Sequence, residues 1–135
     1  MKKEFKEYAQ LIGQIGEQIG RISEEIGKVN LIAGTTVEIL KHRRDAYYKS
    51  IEDYRNCKSK LEQMNVPKVI ESEHKNFVDA FDHFIKGSLL AFNSINLENS
   101  SIDEEMVKKG MREQKSAEIL AVGIIEKITQ KIINN

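Results

Sequence analysis

Apolar residues recur along the first quarter of the chain at alternating spacings of three and four residues. Because a helix has about 3.6 residues per turn, this spacing places them on one face, which the two-residue repeat of a strand cannot do. The pattern therefore predicts a first helix over residues 3–31 with a continuous apolar seam. The seam consists of Phe5, Tyr8, Ile12, Ile15, Ile19, Ile22, Ile26, Val29 and Ala33.

Three further stretches have helical periodicity and predict helices over residues 36–64, 67–96 and 102–133. Each predicted helix is about thirty residues long and spans about 45 Å at 1.5 Å per residue. The connections between them are short, so that neighbouring helices must run antiparallel. The predicted fold is all-α, an antiparallel up-down-up-down four-helix bundle that forms one domain over residues 1–135.

The predicted helix starts carry recognisable signals. Thr35 and Glu38 have the spacing of a capping box at the start of the second helix, and Ser101 and Glu104 have it at the start of the fourth. Pro67 suits the first turn of the third helix, where a missing backbone N–H costs nothing.

Glycine lies at four positions along one edge of the first apolar seam, namely Gly13, Gly16, Gly20 and Gly27. Each glycine inside a helix costs about 0.8–1 kcal/mol relative to alanine, so a compensating contact is expected. Rows of small residues let helix backbones approach closely. We therefore expect a helix-packing glycine ridge, either inside the bundle or in a seam between two chains.

Two charged residues interrupt the inward stripes of the predicted helices, Arg44 in the second and Glu113 in the fourth. Counted from the helix ends, an antiparallel arrangement brings them within about one helical turn of each other. The sequence therefore predicts a partly buried Arg44–Glu113 ion pair. Such a pair more often fixes the register of a bundle than performs chemistry.

Ile119 and Val122 point away from the inward stripe of the fourth helix and make that helix apolar nearly all round. An apolar patch of this kind is a liability when it stays exposed in a monomer. Either the first helix or another subunit must cover this side, and we favour the second, which places these two residues on an oligomer surface.

Glu71 and His74 form Glu-x-x-His, the ligand pair that two helices contribute in ferritin-like di-iron bundles. A di-iron site also needs a second such pair, and neither His42 nor His83 has a glutamate three residues before it. No metal and no cofactor are therefore predicted.

Ordinary structural roles are expected for two histidines. His83 can pair with Asp79, one turn earlier on the same helix. His74 is expected in a polar layer near one end of the bundle, and the candidate partners are Tyr8, Tyr54 and Lys58.

The chain carries 21 basic and 21 acidic residues, so its formal net charge is zero. This balance argues against a dedicated nucleic-acid binder or a polybasic membrane-surface protein, since both depend on excess positive charge. The only cysteine, Cys57, excludes an intrachain disulfide. The longest apolar run, residues 119–125, is too short to span a bilayer, so no membrane association is predicted and a cytoplasmic location is expected.

Residues 66–77 resemble the helix opening of small bundle proteins of Gram-positive bacteria, over less than a tenth of the chain. The resemblance implies a bacterial bundle protein and no particular activity. No activated nucleophile, glycine-rich phosphate loop or carboxylate pair is apparent, so no enzyme activity is predicted.

The leading functional expectation is a non-enzymatic helical protein-interaction module that self-associates as a homo-oligomer, a dimer, or binds a protein partner. One alternative is a ligand- or metal-binding bundle. Another is a small regulator that contacts nucleic acid weakly through the basic cluster at residues 41–44.

Overall fold

The computed structural model describes residues 2–135, and most of them are helical. Four helices account for the fold, and they confirm the all-α class. They contain 28, 26, 23 and 30 residues, so each is shorter than its predicted span, and the third differs most. The helices are α1 (Lys3–Asn30), α2 (Val37–Glu62), α3 (Glu71–Asn93) and α4 (Glu104–Ile133).

The shortening of α3 comes from its two connections. Pro67 precedes a separate 3₁₀ turn, Lys68–Ile70, and does not lie in the first turn of α3 as predicted. At its other end α3 gives way to a two-stranded antiparallel hairpin formed by β1 (Ile95–Asn96) and β2 (Ser101–Ile102). The sequence pattern did not indicate this hairpin.

Both predicted caps are displaced. The hydroxyl of Thr36, not Thr35, caps α2 by accepting a hydrogen bond from the amide of Ile39 at 3.3 Å. The carboxylate of Asp103 caps α4 by accepting from two first-turn amides at 3.1 and 3.2 Å. Ser101, the predicted cap, instead belongs to strand β2. A carboxylate is favoured at this point because the helix dipole stabilises negative charge at the N-terminus.

Hydrogen bonds and an ion pair between successive helices give their relative direction. In two pairs a residue near the C-terminal end of one helix contacts a residue in the first half of the next helix. In the third pair a residue near the start of α3 contacts a residue near the C-terminal end of α4. Successive helices therefore run in opposite directions. The pairs are Asn30 with Tyr47, Leu61 with His74, and Glu73 with Lys131.

The buried interior combines the isoleucines of α1 and α4 with the aromatic residues of α2 and α3. The predicted seam of α1 is buried from Phe5 to Val29, as expected. In the centre, Tyr54 stacks on Phe84 with 4.9 Å between ring centroids. Cys57 of α2 lies beneath α1, with 1% of its surface exposed, and its thiol donates to the side-chain oxygen of Gln18 at 3.4 Å.

Helices α3 and α4 approach each other closely where Gly87 faces Gly110. A Cβ on Gly110 would lie 2.5 Å from the carbonyl oxygen of Gly87, and one on Gly87 would lie 2.7 Å from that of Gly110. Both positions therefore require glycine. Beside this contact the hydroxyl of Ser88 accepts from Gln114 and bonds to the hydroxyl of Ser50, each at 2.8 Å. A buried polar layer thus crosses three helices.

Candidate functional site

Helices α1 and α4 leave an apolar groove between them, with a cavity volume of about 390 Å³. Helix α1 packs on α4 over few residues, whereas α3 packs extensively on both α2 and α4. The groove is open because its α1 wall carries only small residues apart from the buried Ile12. That wall contains Ala9, Gly13 and Gly16, and the wall on α4 contains Ile125, Thr129 and Ile133.

The predicted glycine ridge lies on this open side of α1. Gly13, Gly20 and Gly27 are exposed and Gly16 is half-buried. A Cβ on any of the four would meet no atom of residues 2–135 within 4 Å, apart from the neighbouring backbone of its own helix. The prediction that these glycines pack closely inside the chain is therefore wrong. The alternative, a seam between two chains, stays a prediction.

Large apolar side chains project from the α4 side of the groove. Val122 lies three residues before Ile125 and seven before Thr129, and residues at these spacings share a helix face. Val122 is 57% exposed and Ile119, at the outer margin, is 65% exposed, while Ile133 at the far end is 70% exposed. We name the surface formed by the four glycines of α1 and by Ile119, Val122 and Ile133 the α1–α4 face.

The two margins of the α1–α4 face carry opposite charges in its upper half, the end nearer the α1–α2 connection. Glu17 and Glu24 alternate with the glycines along α1 and are exposed. Lys108 and Lys115 precede Val122 by fourteen and seven residues, so they lie on the same face of α4, and both are exposed. The α1 margin therefore carries acidic groups and the α4 margin basic ones. Two of them already have partners within the chain, since Glu24 contacts Lys28 at 3.4 Å and Lys115 contacts Glu118 at 3.9 Å. Glu17 and Glu24 also border the clefts between α1 and α2.

A buried arginine holds the upper end of α1. Arg43 is only 2% exposed and its guanidinium contacts the carboxylate of Glu104 at 3.2 Å. The same group donates to the hydroxyl of Tyr47 at 2.9 Å and to the carbonyl of Ile32 at 3.5 Å. Tyr47 in turn donates to Asn30, the last residue of α1, at 2.5 Å. This cluster ties α1 and α4 to α2.

The predicted Arg44–Glu113 ion pair is wrong. The guanidinium of Arg44 lies over the ring of Phe92 at 4.9 Å, and the carboxylate of Glu113 bonds to His83 at 2.7 Å. The buried position belongs to the neighbouring Arg43. Adjacent residues on a helix point about 100° apart, so a one-residue error moves a side chain from the interior to the margin.

Arg43 and Arg44 also account for half of the basic cluster at residues 41–44. One guanidinium is buried against Glu104 and the other covers an aromatic ring. The cluster thus exposes less positive charge than the sequence indicated, and this geometry gives no support to the nucleic-acid alternative.

A second polar cluster holds the lower end of α1. The hydroxyl of Tyr8 donates to Nδ1 of His74 at 2.8 Å, and Nε2 of His74 donates to the carbonyl of Leu61 at 2.9 Å. Burial lowers the pKa of His74, although the bond to Leu61 opposes this change. The predicted polar layer therefore exists, with Tyr8 as the partner. His83, by contrast, does not pair with Asp79.

The Glu-x-x-His motif is not arranged as a metal site. Both ring nitrogens of His74 are occupied by protein partners, and Glu71 is exposed. Glu73 beside it accepts a hydrogen bond from Lys131, which lowers the pKa of Glu73. Within residues 2–135, no three histidine, cysteine, aspartate or glutamate side chains are placed to hold a metal ion.

Comparison of the chain with known protein families, with curated proteins and with solved structures gave no match. Among the described helices, none combines the length and the apolar character needed to cross a membrane.

Proposed function

We propose that this protein is an up-down-up-down four-helix bundle that serves as a non-enzymatic interaction module. It binds a helix of another protein chain on the α1–α4 face. The observation that supports this proposal is the row of open glycines on α1, which faces no other part of the described chain and lies opposite exposed isoleucine and valine.

The energetics of the glycines favour a bound helix. Four mid-helix glycines cost roughly 3–4 kcal/mol relative to alanine, and no contact within residues 2–135 offsets that cost. A helix from another chain can approach the α1 backbone closely only where side chains are missing. The exposed aliphatic residues of α4 would lose their contact with water in the same event.

The other large clefts of the molecule do not favour a small ligand. They lie between α1 and α2 and are lined largely by polar and charged side chains. Two of these, Lys49 and Asp53, already contact each other at 3.8 Å. Solvated charged margins of this kind differ from the mostly apolar, enclosed sites that bind small molecules.

Site-specific photocrosslinking in the native host tests the proposal. A photoreactive residue replaces Glu126 on the margin of the α1–α4 face or, as the matched control, Ser72 on α3; both positions are exposed. We expect a protein adduct from position 126, absent from position 72 and lost when Gly20→Leu fills the face. Mass spectrometry identifies the crosslinked chain. The absence of an adduct above the control would overturn the proposal.

A further inference from the structure

We infer that the chain bound by the α1–α4 face is a second copy of this protein, with α1 of each copy packed on α4 of the other. This inference rests on the proposed function and specifies the partner. It depends on two properties of the face, which is complementary to itself in shape and, in its upper half, in charge.

The shape of the face is recessed on one side and projecting on the other. The α1 side lacks side chains at four positions, whereas the α4 side presents Ile119, Val122 and Ile133. A two-fold axis parallel to the helices brings the recessed side of one copy against the projecting side of the other, and does so twice. Such an interface is isologous and closed, as in most homodimers.

The register of this pairing follows from the groove within one chain. Gly16 and Ile125 line the same groove, and α1 and α4 run in opposite directions. One turn further along, Gly20 lies at the level of Val122. Because the two-fold axis preserves height along the bundle, Val122 of the second copy meets the recess at Gly20.

Charge supports the same arrangement. Glu24 on the α1 margin lies about one turn above Gly20, and Lys115 on the α4 margin of the second copy lies about two turns above Val122. Association lets these two long side chains exchange their partners within the chain, Lys28 and Glu118, for each other. The net charge of zero leaves no overall repulsion between copies. The register also brings Glu126 towards Glu17 of the second copy, a like-charge approach that weakens the dimer.

The other two-fold arrangement pairs α1 with α1 in antiparallel fashion. It places one recess against another and leaves the projecting residues of α4 uncovered. It also brings Glu17 and Glu24 of one copy towards the same residues of the other. Shape and charge both disfavour it.

Sedimentation equilibrium on the full-length protein tests the partner. We expect the wild type to be a dimer. Gly20→Gln fills the recess and should raise the dissociation constant at least tenfold, whereas Gly123→Gln should leave it unchanged. Gly123 is the matched control because it is also an open mid-helix glycine, yet it shares a helix face with Leu120 and Lys127, away from the groove. Circular dichroism checks that both variants stay helical.

A wild type that remains monomeric at several hundred micromolar overturns the second copy as partner. If the photoreactive variant then forms its adduct with a different protein, the proposed function stands without this inference. If no adduct forms, both fail.

Disulfide trapping tests the pairing mode. Gly20→Cys and Val122→Cys are each made in a Cys57→Ser background, so that only disulfides between chains can form. Mixing the two variants under mild oxidation should give the mixed disulfide at least tenfold faster than mixing Gly20→Cys with Ser72→Cys. Rapid formation of the Gly20→Cys homodimer instead would overturn the α1-on-α4 arrangement in favour of α1 on α1.

Charge exchange gives an independent test of the register. Lys115→Glu should weaken the dimer severalfold, and the double variant Glu24→Lys/Lys115→Glu should recover most of the loss. Glu126→Gln should tighten the dimer by removing the approach to Glu17. Additive weakening in the double variant would contradict the assigned register.

Discussion

Glycine has two different surroundings in this molecule. Gly87 and Gly110 lie between α3 and α4, where each fills a space that no side chain can enter. The glycines of α1, such as Gly20, border open space. Glycine therefore lies at a close backbone contact between α3 and α4, but on an open helix surface in α1. A row of glycines on a helix indicates a place for close approach but does not identify the partner.

The difference extends to the way the helices are held. Helix α3 is enclosed on both sides by α2 and α4. Helix α1 is held by its inner isoleucine seam and by one polar cluster near each end, with Asn30 at the upper end and Tyr8 at the lower. Its glycine flank takes no part in either cluster. The glycine side of α1 can therefore bind or release another chain without changing the contacts of the core.

The largest expected effect comes from closing the space between α3 and α4. Gly110→Ala places a Cβ 2.5 Å from the backbone oxygen of Gly87, and backbone cannot move aside cheaply. We expect a loss of about 3 kcal/mol in the free energy of unfolding, the cost of overpacking a core. Urea denaturation measures it, with Gly123→Ala as the control. A neutral result would mean that the helices cross elsewhere.

The next largest effect concerns the upper attachment of α1. Arg43→Met removes the buried guanidinium and its bonds to Tyr47 and Ile32, so we expect a loss of about 2 kcal/mol. Arg44→Met, its immediate neighbour, loses only a contact with the ring of Phe92 and should cost less than about 1 kcal/mol. Thermal unfolding of the two variants side by side checks the assignment, and a larger loss for Arg44→Met would reverse it.

The lower attachment of α1 predicts a pH dependence. Burial lowers the pKa of His74 in the folded protein below its usual value of 6.5, so the unfolded chain binds the proton more tightly. Stability is therefore fully present above pH 6.5 and falls as the solution is acidified towards the folded pKa, by at most about 1.4 kcal/mol per pH unit.

Urea denaturation between pH 7 and pH 5 measures this slope. Glu73 contributes little in this range, because Lys131 lowers its pKa in the folded protein and its ordinary value of 4.5 in the unfolded chain lies below pH 5. His74→Gln should flatten the slope, and the exposed His42 provides the control substitution His42→Gln. A slope that survives in His74→Gln would assign the titration to another group.

The smallest expected effect has the opposite sign. Gly20→Ala adds a side chain into open space and should stabilise the isolated fold by about 1 kcal/mol, the difference in helix propensity. The measurement is urea denaturation at a concentration low enough to keep the protein monomeric. If Gly20→Ala destabilises the monomer, another helix of the same chain must cover Gly20. The difference between the open glycines of α1 and the enclosed Gly87 and Gly110 would then not hold.

Much of the fold follows from the sequence because it depends on periodicity over many residues. The seam from Phe5 to Val29 repeats often enough that one misplaced residue changes nothing. The hairpin between α3 and α4 contains only two residues per strand, and its sequence continues the apolar stripe through Ile95. Periodicity therefore could not distinguish it from another helical turn.

The site residues were less predictable because they depend on single positions. Arg43 and Arg44 differ by about 100° around the helix, and the buried one is held by partners on three different segments, Tyr47, Ile32 and Glu104, which spacing does not reveal. Gly110 was recognisable on the inward stripe of α4, but its partner Gly87 lies on another helix at a height that spacing alone does not give. The groove depends likewise on the distance between α1 and α4.

The position of Cys57 turns the only thiol of the protein into a natural reporter of α1 detachment. Its sulfur is covered by Gln18 of α1, and burial raises the pKa of the thiol, so a thiol-specific reagent can attack only after α1 has moved away. The labelling rate of the unmodified protein therefore measures how often this helix lifts. If a second copy of the protein packs against α1 and prevents its movement, the labelling rate falls as the protein concentration rises, because a larger fraction of the protein is then dimeric.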